Sequence, residues 1–254
     1  MADSDPNIPF IKLTGLKKQF GTQKILQGVD LTIERGETLV LIGPSGEGKS
    51  VLLKHIIGLL RPDAGKVELE GVDLCSMTER ELAVVRRRMG YLFQNAALFD
   101  SLTVAENVAF PLKEAGVHDK AEMDKRVHEA LDLVDLAEHK DKMPVDLSGG
   151  MRKRVGIARA IIGRPACILY DEPTAGLDPI VTDVIDHMVR RLQKRFSVTS
   201  IVITHDMGSV FKIANRVAML KGGVISFLGT PDELRNSELP EIQDFIAGRS
   251  GLSD

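Results

Sequence analysis

The sequence predicts an α/β fold built around a mainly parallel sheet, and three observations carry that expectation. An apolar strand, Thr38 to Ile42, runs directly into the glycine-rich stretch Gly43-Pro44-Ser45-Gly46 and then into an amphipathic helix. Two short apolar strands, Cys167 to Tyr170 and Ser200 to Ile203, flank the helical pattern Val181 to Phe196, which is the βαβ arrangement of parallel strands. Between about Ala105 and Ile162 the periodicity is almost wholly helical, so a helical segment is expected to interrupt the α/β part.

The elements follow in order. Ile11 to Leu16 and Ile25 to Ile33 are strand-like and precede the Thr38 to Ile42 strand. From Ser50 the residues Leu52, Leu53, Ile56, Ile57 and Leu60 recur at helical spacing until Arg61-Pro62-Asp63 stops the run. Lys66 to Leu69 is a short strand, and Thr78 with Glu81 three residues on forms a capping box that opens a helix expected to reach Met89. Gly90 to Phe93 is strand-like. Within the helical stretch, Ala121 to Leu136 and Arg152 to Ile162 are the clearest segments. Arg216 to Leu220 and Val224 to Leu228 flank Gly222-Gly223 as a hairpin, and Thr230-Pro231-Asp232-Glu233 caps a further helix. The tail ends polar at Gly251 to Asp254.

Composition bounds the function. The 254 residues can bury a sizeable core, and 43% hydrophobic with 27% charged residues is the usage of a folded globular chain. The formal charge of -3 provides no field of the kind that draws a protein onto nucleic acid, which is expected not to be a partner. Cys75 and Cys167 stand far apart outside any CxxC or Cys/His cluster, a pattern that suits a reducing compartment and argues against a zinc module. The start MADSDPNIPF has neither a basic nor an apolar leader region, and the apolar runs are too short to span a bilayer. Any work at a membrane would therefore rely on a separate anchor.

Residues 43 to 50, GPSGEGKS, match the phosphate-loop pattern G-x-x-x-x-G-K-[ST] in its required context, between a strand and a helix. Gly43, Pro44, Ser45, Gly46, Glu47 and Gly48 would turn backbone N–H groups onto phosphate oxygens, and Lys49 would reach the β- and γ-phosphates. Ser50 would ligate Mg²⁺ through its hydroxyl, with Val51 continuing the helix. A surface glycine turn is the plain alternative for such a string. Cys167 to Glu172, CILYDE, puts two acids at the C-terminal end of a buried strand, where open α/β sheets bind ligands. Asp171 would hold Mg²⁺ through water, and Glu172 would accept a proton from attacking water. Taken alone, the pair would be an ordinary acidic strand end. Leu147 to Met151, LSGGM, opens a helix with Ser148 suited to its N-cap, and Gly149 and Gly150 leave room for a group to approach, which makes a second phosphate-binding surface or a plain capped helix.

GPSGEGKS, LSGGM and CILYDEP together resemble the nucleotide-binding subunit of ABC transporters, whose signature motif is LSGGQ. The resemblance covers essentially the whole chain. It implies a P-loop NTPase core with a mainly parallel sheet, an N-terminal antiparallel β subdomain and an inserted α-helical subdomain. The implied boundaries are an ATPase domain over 1–230, with core segments 1–94 and 164–230 around a helical subdomain at about 95–163, followed by a helical tail over 231–254. It further implies that Phe20 stacks on adenine, that Gln94 senses the γ-phosphate and Mg²⁺, that Asp178 closes the D-loop Ala175-Gly176-Leu177-Asp178, and that His205 is the switch histidine. Outside the resemblance, Phe20 reads equally as a core phenylalanine, Gln94 as an ordinary strand end and His205 as a capping or solvated residue; the other histidines carry no such assignment.

In that family the signature faces phosphates held by the partner subunit, so a homodimer around two Mg-ATP is expected. Its permease partners would be contacted near the Gln94 loop and the helical subdomain. The chain departs from the pattern at Met151, where glutamine ends the signature, and at Val51, where many relatives carry a hydroxyl. With GKSVLLKHIIGLLRPDAG, SGGMRKRVGIARA and YDEPTAGLDPI, these features look most like the ATPase of Mla/Mce-type bacterial lipid transport systems. That likeness implies phospholipid cargo, an Mce-type lipid-binding subunit and a place on the cytoplasmic face of the bacterial inner membrane. The alternatives are an importer ATPase for a small polar solute, a soluble ABC ATPase of repair or translation, and a non-hydrolysing nucleotide-binding regulator.

Overall fold

The computed structural model describes residues 8–248. The expectation of no leader rests largely on residues 1–7, and that of a polar end on residues 251–254; these lie outside the described residues. The chain forms two compact units, one gathering residues 8–82 and 201–248 and the other Ala83–Ser200.

The first unit begins with two long antiparallel strands, β1 (Ile11–Phe20) and β2 (Gln23–Ile33). β4 (Ala64–Leu69) pairs antiparallel with β1 on its other side, and the short β5 (Val72–Asp73) follows at the edge, giving the order β2-β1-β4-β5. This is the expected antiparallel subdomain; alternation along β1 buries Ile11 and Leu13, and a register irregularity after Leu13 lets Leu16 be buried as well. β3 (Thr38–Ile42) is buried at all five positions, as a strand covered on both faces must be. It runs parallel to β9 (Arg216–Lys221), which pairs antiparallel with β10 (Val224–Gly229) through a turn whose Gly222 and Gly223 both take positive φ.

α1 (Lys49–Ile56) stops a turn before the expected end at Leu60. Gly58 turns left-handed at φ 68° and the Leu59 N–H returns to the Lys54 carbonyl, a glycine stop that outweighs the continuing apolar spacing. α2 (Glu79–Arg86) starts at the expected capping box, with Thr78 N–H 2.7 Å from Glu81 Oε2. It does not reach Met89, which already belongs to β6 (Met89–Leu92). The strand wins there because Met89 and Gly90 lie along Cys167 and Ile168 of β7 (Cys167–Asp171), and Gly90 has no Cβ to collide with the Ala160 carbonyl.

The second unit places the parallel pair β6 and β7 with the helices α3 (Val104–Glu114), α4 (Lys120–Asp132), α5 (Gly149–Ile161) and α6 (Pro179–Phe196). α4 is shorter than the Ala121 to Leu136 pattern, because the chain leaves the helix after Leu133 and Asp135 turns to φ 55°. Each helix start is capped by a side chain: Thr103 in a capping box, then Asp119, Ser148 and Asp178. Such caps contribute about 1 kcal/mol each. The unit boundary falls inside β8 (Thr199–Ile203), after which α7 (Met207–Ile213), α8 (Pro231–Arg235) and α9 (Pro240–Ile246) complete the first unit. No described helix is long and apolar enough to cross a membrane.

Candidate active site

In the first unit the loop after β3 is held open by glycines with specific reasons. A Cβ at Gly43 would collide with the carbonyl oxygen of Leu220 on β9, and one at Gly48 would lie 2.5 Å from the Ile25 side chain on β2. Gly48 also takes φ 96°, so the N-cap position of α1 carries no side chain that could cap the helix. Pro44 is half-buried, and Ser45 and Gly46 are exposed at the crown. Lys49 folds its ammonium back onto the carbonyls of Gly43 and Pro44, at 2.7 and 2.8 Å, which stations the charge within the loop. Ser50 and Val51 begin α1 half-buried. Beneath them His55 is 1% exposed, with Nδ1 2.8 Å from the Val51 carbonyl, and burial holds its pKa below the ordinary value.

The β9–β10 turn contacts this loop, a feature that local periodicity could not predict. The Gly222 N–H donates to Glu47 Oε2 at 2.7 Å, and Gln27 on β2 grips the same turn through the carbonyls of Gly222 and Gly223. Phe20, at the end of β1, is 47% exposed with the Lys18 ammonium 5.5 Å from its ring centre; it is not a core phenylalanine. His205 is exposed directly after β8, between the buried Thr204 and Asp206, which N-caps α7 by accepting from Gly208 and Ser209.

In the second unit β6 and β7 end side by side, which brings Gln94, Asp171 and Glu172 to one end of that parallel pair. Asp171 is 8% exposed and accepts a hydrogen bond from the Tyr91 phenol at 3.1 Å. Desolvation and the neighbouring carboxylate push that phenol's pKa up, so Tyr91 remains a donor. Glu172 is half-buried and takes φ 52°, a left-handed conformation that costs a non-glycine residue roughly 1–3 kcal/mol. The Gln94 side chain is exposed, whereas its carbonyl accepts from the buried ammonium of Lys153; the same ammonium donates to the Glu172 carbonyl at 2.8 Å.

Ser148 is exposed and its hydroxyl caps α5 by accepting from the Met151 N–H at 3.2 Å. The two glycines after it are unlike. Gly149 is half-buried, but Gly150 is buried, and a Cβ there would lie 2.5 Å from the Val181 side chain. The expected room for an approaching group at Gly150 is thus taken by α6 of the same chain. Asp178 accepts from the N–H groups of Ile180 and Val181, both at 3.0 Å, so its carboxylate is committed to capping α6.

Sequence reasoning missed Tyr91 and Lys153. Lys153 had a signal, since it follows Gly150 and precedes Ile157 and Ala160 at three-, four- and three-residue steps, a charge set in the buried stripe of α5. The oxygen donors Ser50 and Asp171 suit a hard cation. Among the described residues no group of three or more His, Cys, Asp and Glu could hold a metal. Each of the Ser50 and Asp171 oxygens, one in either unit, is a donor of the kind Mg²⁺ takes, an ion that needs only one or two protein ligands and completes its shell with water and phosphate.

Strand, glycine loop and helix in one unit, and a strand-end acid pair in the other, define an α/β protein of the phosphate-loop class. The chain belongs to the ABC transporter ATP-binding family, whose members hydrolyse ATP: the ABC transporter family model matches residues 26–175. It is 43% identical to the "Methionine import ATP-binding protein MetN" of Rhizobium johnstonii, over 94% of this chain and 69% of that protein. It is 39% identical to the "Probable ribonucleotide transport ATP-binding protein mkl" of Mycobacterium tuberculosis, over 94% of this chain and 67% of that protein. The chain therefore spans about two-thirds of the length of these relatives. Among solved structures it resembles the dimeric ATP-binding cassette MJ0796 in a post-hydrolysis state bound to ADP and Pi, with TM-score 0.80, 33% identity and coverage of 87% of this chain and 98% of that one. A second dimeric structure of MJ0796, a bacterial ABC transporter cassette, matches with TM-score 0.81.

Proposed function

We propose that this chain is the ATPase subunit of a bacterial ABC transporter, that it dimerises around two Mg-ATP, and that it drives a separate membrane permease whose cargo is phospholipid. The observation that carries the ATPase reading is the GPSGEGKS loop between β3 and α1, with the Lys49 ammonium stationed on its carbonyls. Dimerisation is supported by the dimeric state of the solved neighbours.

In this reading Phe20 stacks on adenine, the loop N–H groups from Gly43 to Gly48 cradle the phosphates, and Lys49 neutralises the β- and γ-oxygens. Ser50 and Asp171, with Gln94, would hold Mg²⁺, which when bound would supply charge neutralisation to the phosphates. Glu172 orients the attacking water and takes its proton, and His205 steadies the γ-phosphate. Ser148, Gly149 and Asp178 complete the partner's site, with Gly150 acting through the packing of α5 on α6. Residues 1–94 and 164–230 serve as the nucleotide-binding core and 95–163 as the helical subdomain facing the permease at the cytoplasmic surface of the inner membrane; 231–254 form a tail.

The lipid assignment, and with it an Mce-type partner, rests on the likeness of GKSVLLKHIIGLLRPDAG, SGGMRKRVGIARA and YDEPTAGLDPI to Mla/Mce-type ATPases. The names of the relatives favour a second reading, import of a small polar solute such as an amino acid or a nucleotide. Purification of the tagged full chain from native membranes, followed by identification of its partner subunits and bound lipid, separates the two. A permease with an Mce-type subunit and bound phospholipid is expected, whereas a solute permease with a soluble receptor and no lipid would replace the lipid reading.

A further inference from the structure

Lys153 is 5% exposed, and its ammonium reaches two backbone carbonyls that belong to different strand ends: Gln94 after β6, and Glu172 after β7 at 2.8 Å. A buried cation needs acceptors, and α5 could have provided a neutral residue at this position at far lower cost. The packing around it makes the link stiff. Gly156, one turn on, is closed over by Leu92 and Ala96, and Arg159 donates to the carbonyls of Ala96 and Ala97 at 2.5 and 2.7 Å. Ala96 and Ala97 both take positive φ, so the loop that follows Gln94 is held in an unusual path by the same helix. Ser148 begins that helix.

We infer that Lys153 is a positioning residue for hydrolysis: it fixes the main chain of Gln94 and of Glu172 to α5, so that both side chains are presented from one rigid frame. The inference rests on the proposed roles of Glu172 and Gln94 and adds a residue that the phosphate loop and the strand-end acids do not include. Lys153 touches neither nucleotide nor water in this scheme. Its effect passes through the left-handed backbone of Glu172, whose carbonyl it grips together with the Ala175 N–H at 3.3 Å. A shift of the order of 1 Å at a reacting group lowers a rate by about a hundredfold, so loss of this grip should appear in turnover and not in nucleotide affinity.

The test uses the full-length chain, alone and in the transporter that co-purifies with it. Lys153→Met keeps the length and removes the donors, and Lys153→Arg keeps both charge and donors. For Lys153→Met, kcat for ATP is expected to fall by about tenfold or more while KM stays within about twofold; Lys153→Arg should recover most of the loss. In a Glu172→Gln background, Lys153→Met should cause a smaller further loss than in the parent, because one of the two groups it positions is already disabled and only the part carried by Gln94 remains. If Lys153→Met fails to fold, Lys153→Gln, which can reach only one carbonyl, serves in its place with an intermediate loss expected. Unchanged kcat in a folded variant would overturn the inference, as would an equal further loss in the Glu172→Gln background or a failure of arginine to rescue. Full turnover by Glu172→Gln alone would instead overturn the assignment of Glu172 as base, a different outcome read from a different variant.

Discussion

The phenol of Tyr91 donates to Asp171 Oδ2 at 3.1 Å, joining the middle of β6 to the acid that ends β7. Tyr91→Phe keeps the ring, which packs on Phe93 with centroids 4.3 Å apart, and removes only the donor. If Asp171 is the metal ligand, the Mg²⁺ concentration for half-maximal turnover should rise by about tenfold or more, the worth of one hydrogen bond to a charged group. A magnesium titration of ATPase activity checks this; an unchanged midpoint would leave Tyr91 a packing residue.

Glu172→Gln should retain Mg-ATP binding and accumulate a closed ATP-bound dimer, because the amide keeps the volume and hydrogen-bonds water but cannot take its proton. Turnover should fall by about a hundredfold or more. Activity near that of the parent would remove Glu172 from the role of base.

Catalysis across a dimer predicts complementation. Lys49→Ala removes the charge from the loop, and Ser148→Arg replaces an exposed cap with a bulky side chain. Each homodimer should fail to hydrolyse ATP. A mixed dimer carrying one change on each chain should keep one composite site free of both, detectable as trapped nucleotide with differently tagged subunits. Absence of any trapped nucleotide in the mixed dimer would count against the trans arrangement.

His55 gives stability a pH dependence of known sign. Burial holds its pKa below 6.5 in the folded chain, with Lys18 pushing the same way and Asp63 opposing. Below about pH 6.5 the unfolded chain binds the proton that the folded chain refuses, so this contribution is full above 6.5 and is lost as pH falls. The urea midpoint of the parent should therefore drop more steeply between about pH 7 and 5 than that of His55→Gln. Parallel profiles would exclude His55 as the source.

Much of the fold was legible because its signals are local. The apolar run Thr38–Ile42 ending in glycines, the Thr78/Glu81 box, the Thr230 cap followed by Pro231 and the Gly222-Gly223 turn each act within a few residues, and each appears as expected. The errors lie where partners distant in sequence decide. Met89 is strand because β7 lies beside it, and Gly150 is buried because Val181 occupies its open side. Of the site, the residues named by motif are where strand ends and helix starts should put them. Of the residues that hold them, Lys153 left only the mark of a charge in the buried stripe of α5, while Tyr91 and the turn on Glu47 were not legible, since reach across tens of residues leaves no periodic trace.

The seat of the phosphate loop has a consequence for how the chain is made. Gly43 rests against Leu220, Glu47 receives an N–H from a residue 175 positions later, and β3 takes β9 as its parallel neighbour. All of Ala83–Ser200 must leave the ribosome before those partners exist, a wait on the order of ten seconds at about 5–20 residues per second. During that interval β3 is an apolar strand without its β9 neighbour, open to misassociation and to chaperones. A nascent chain arrested before Arg216 would carry every letter of the loop motif and yet lack the floor that shapes it, so competence to hold nucleotide should follow the emergence of β9 and its turn and not that of the motif itself.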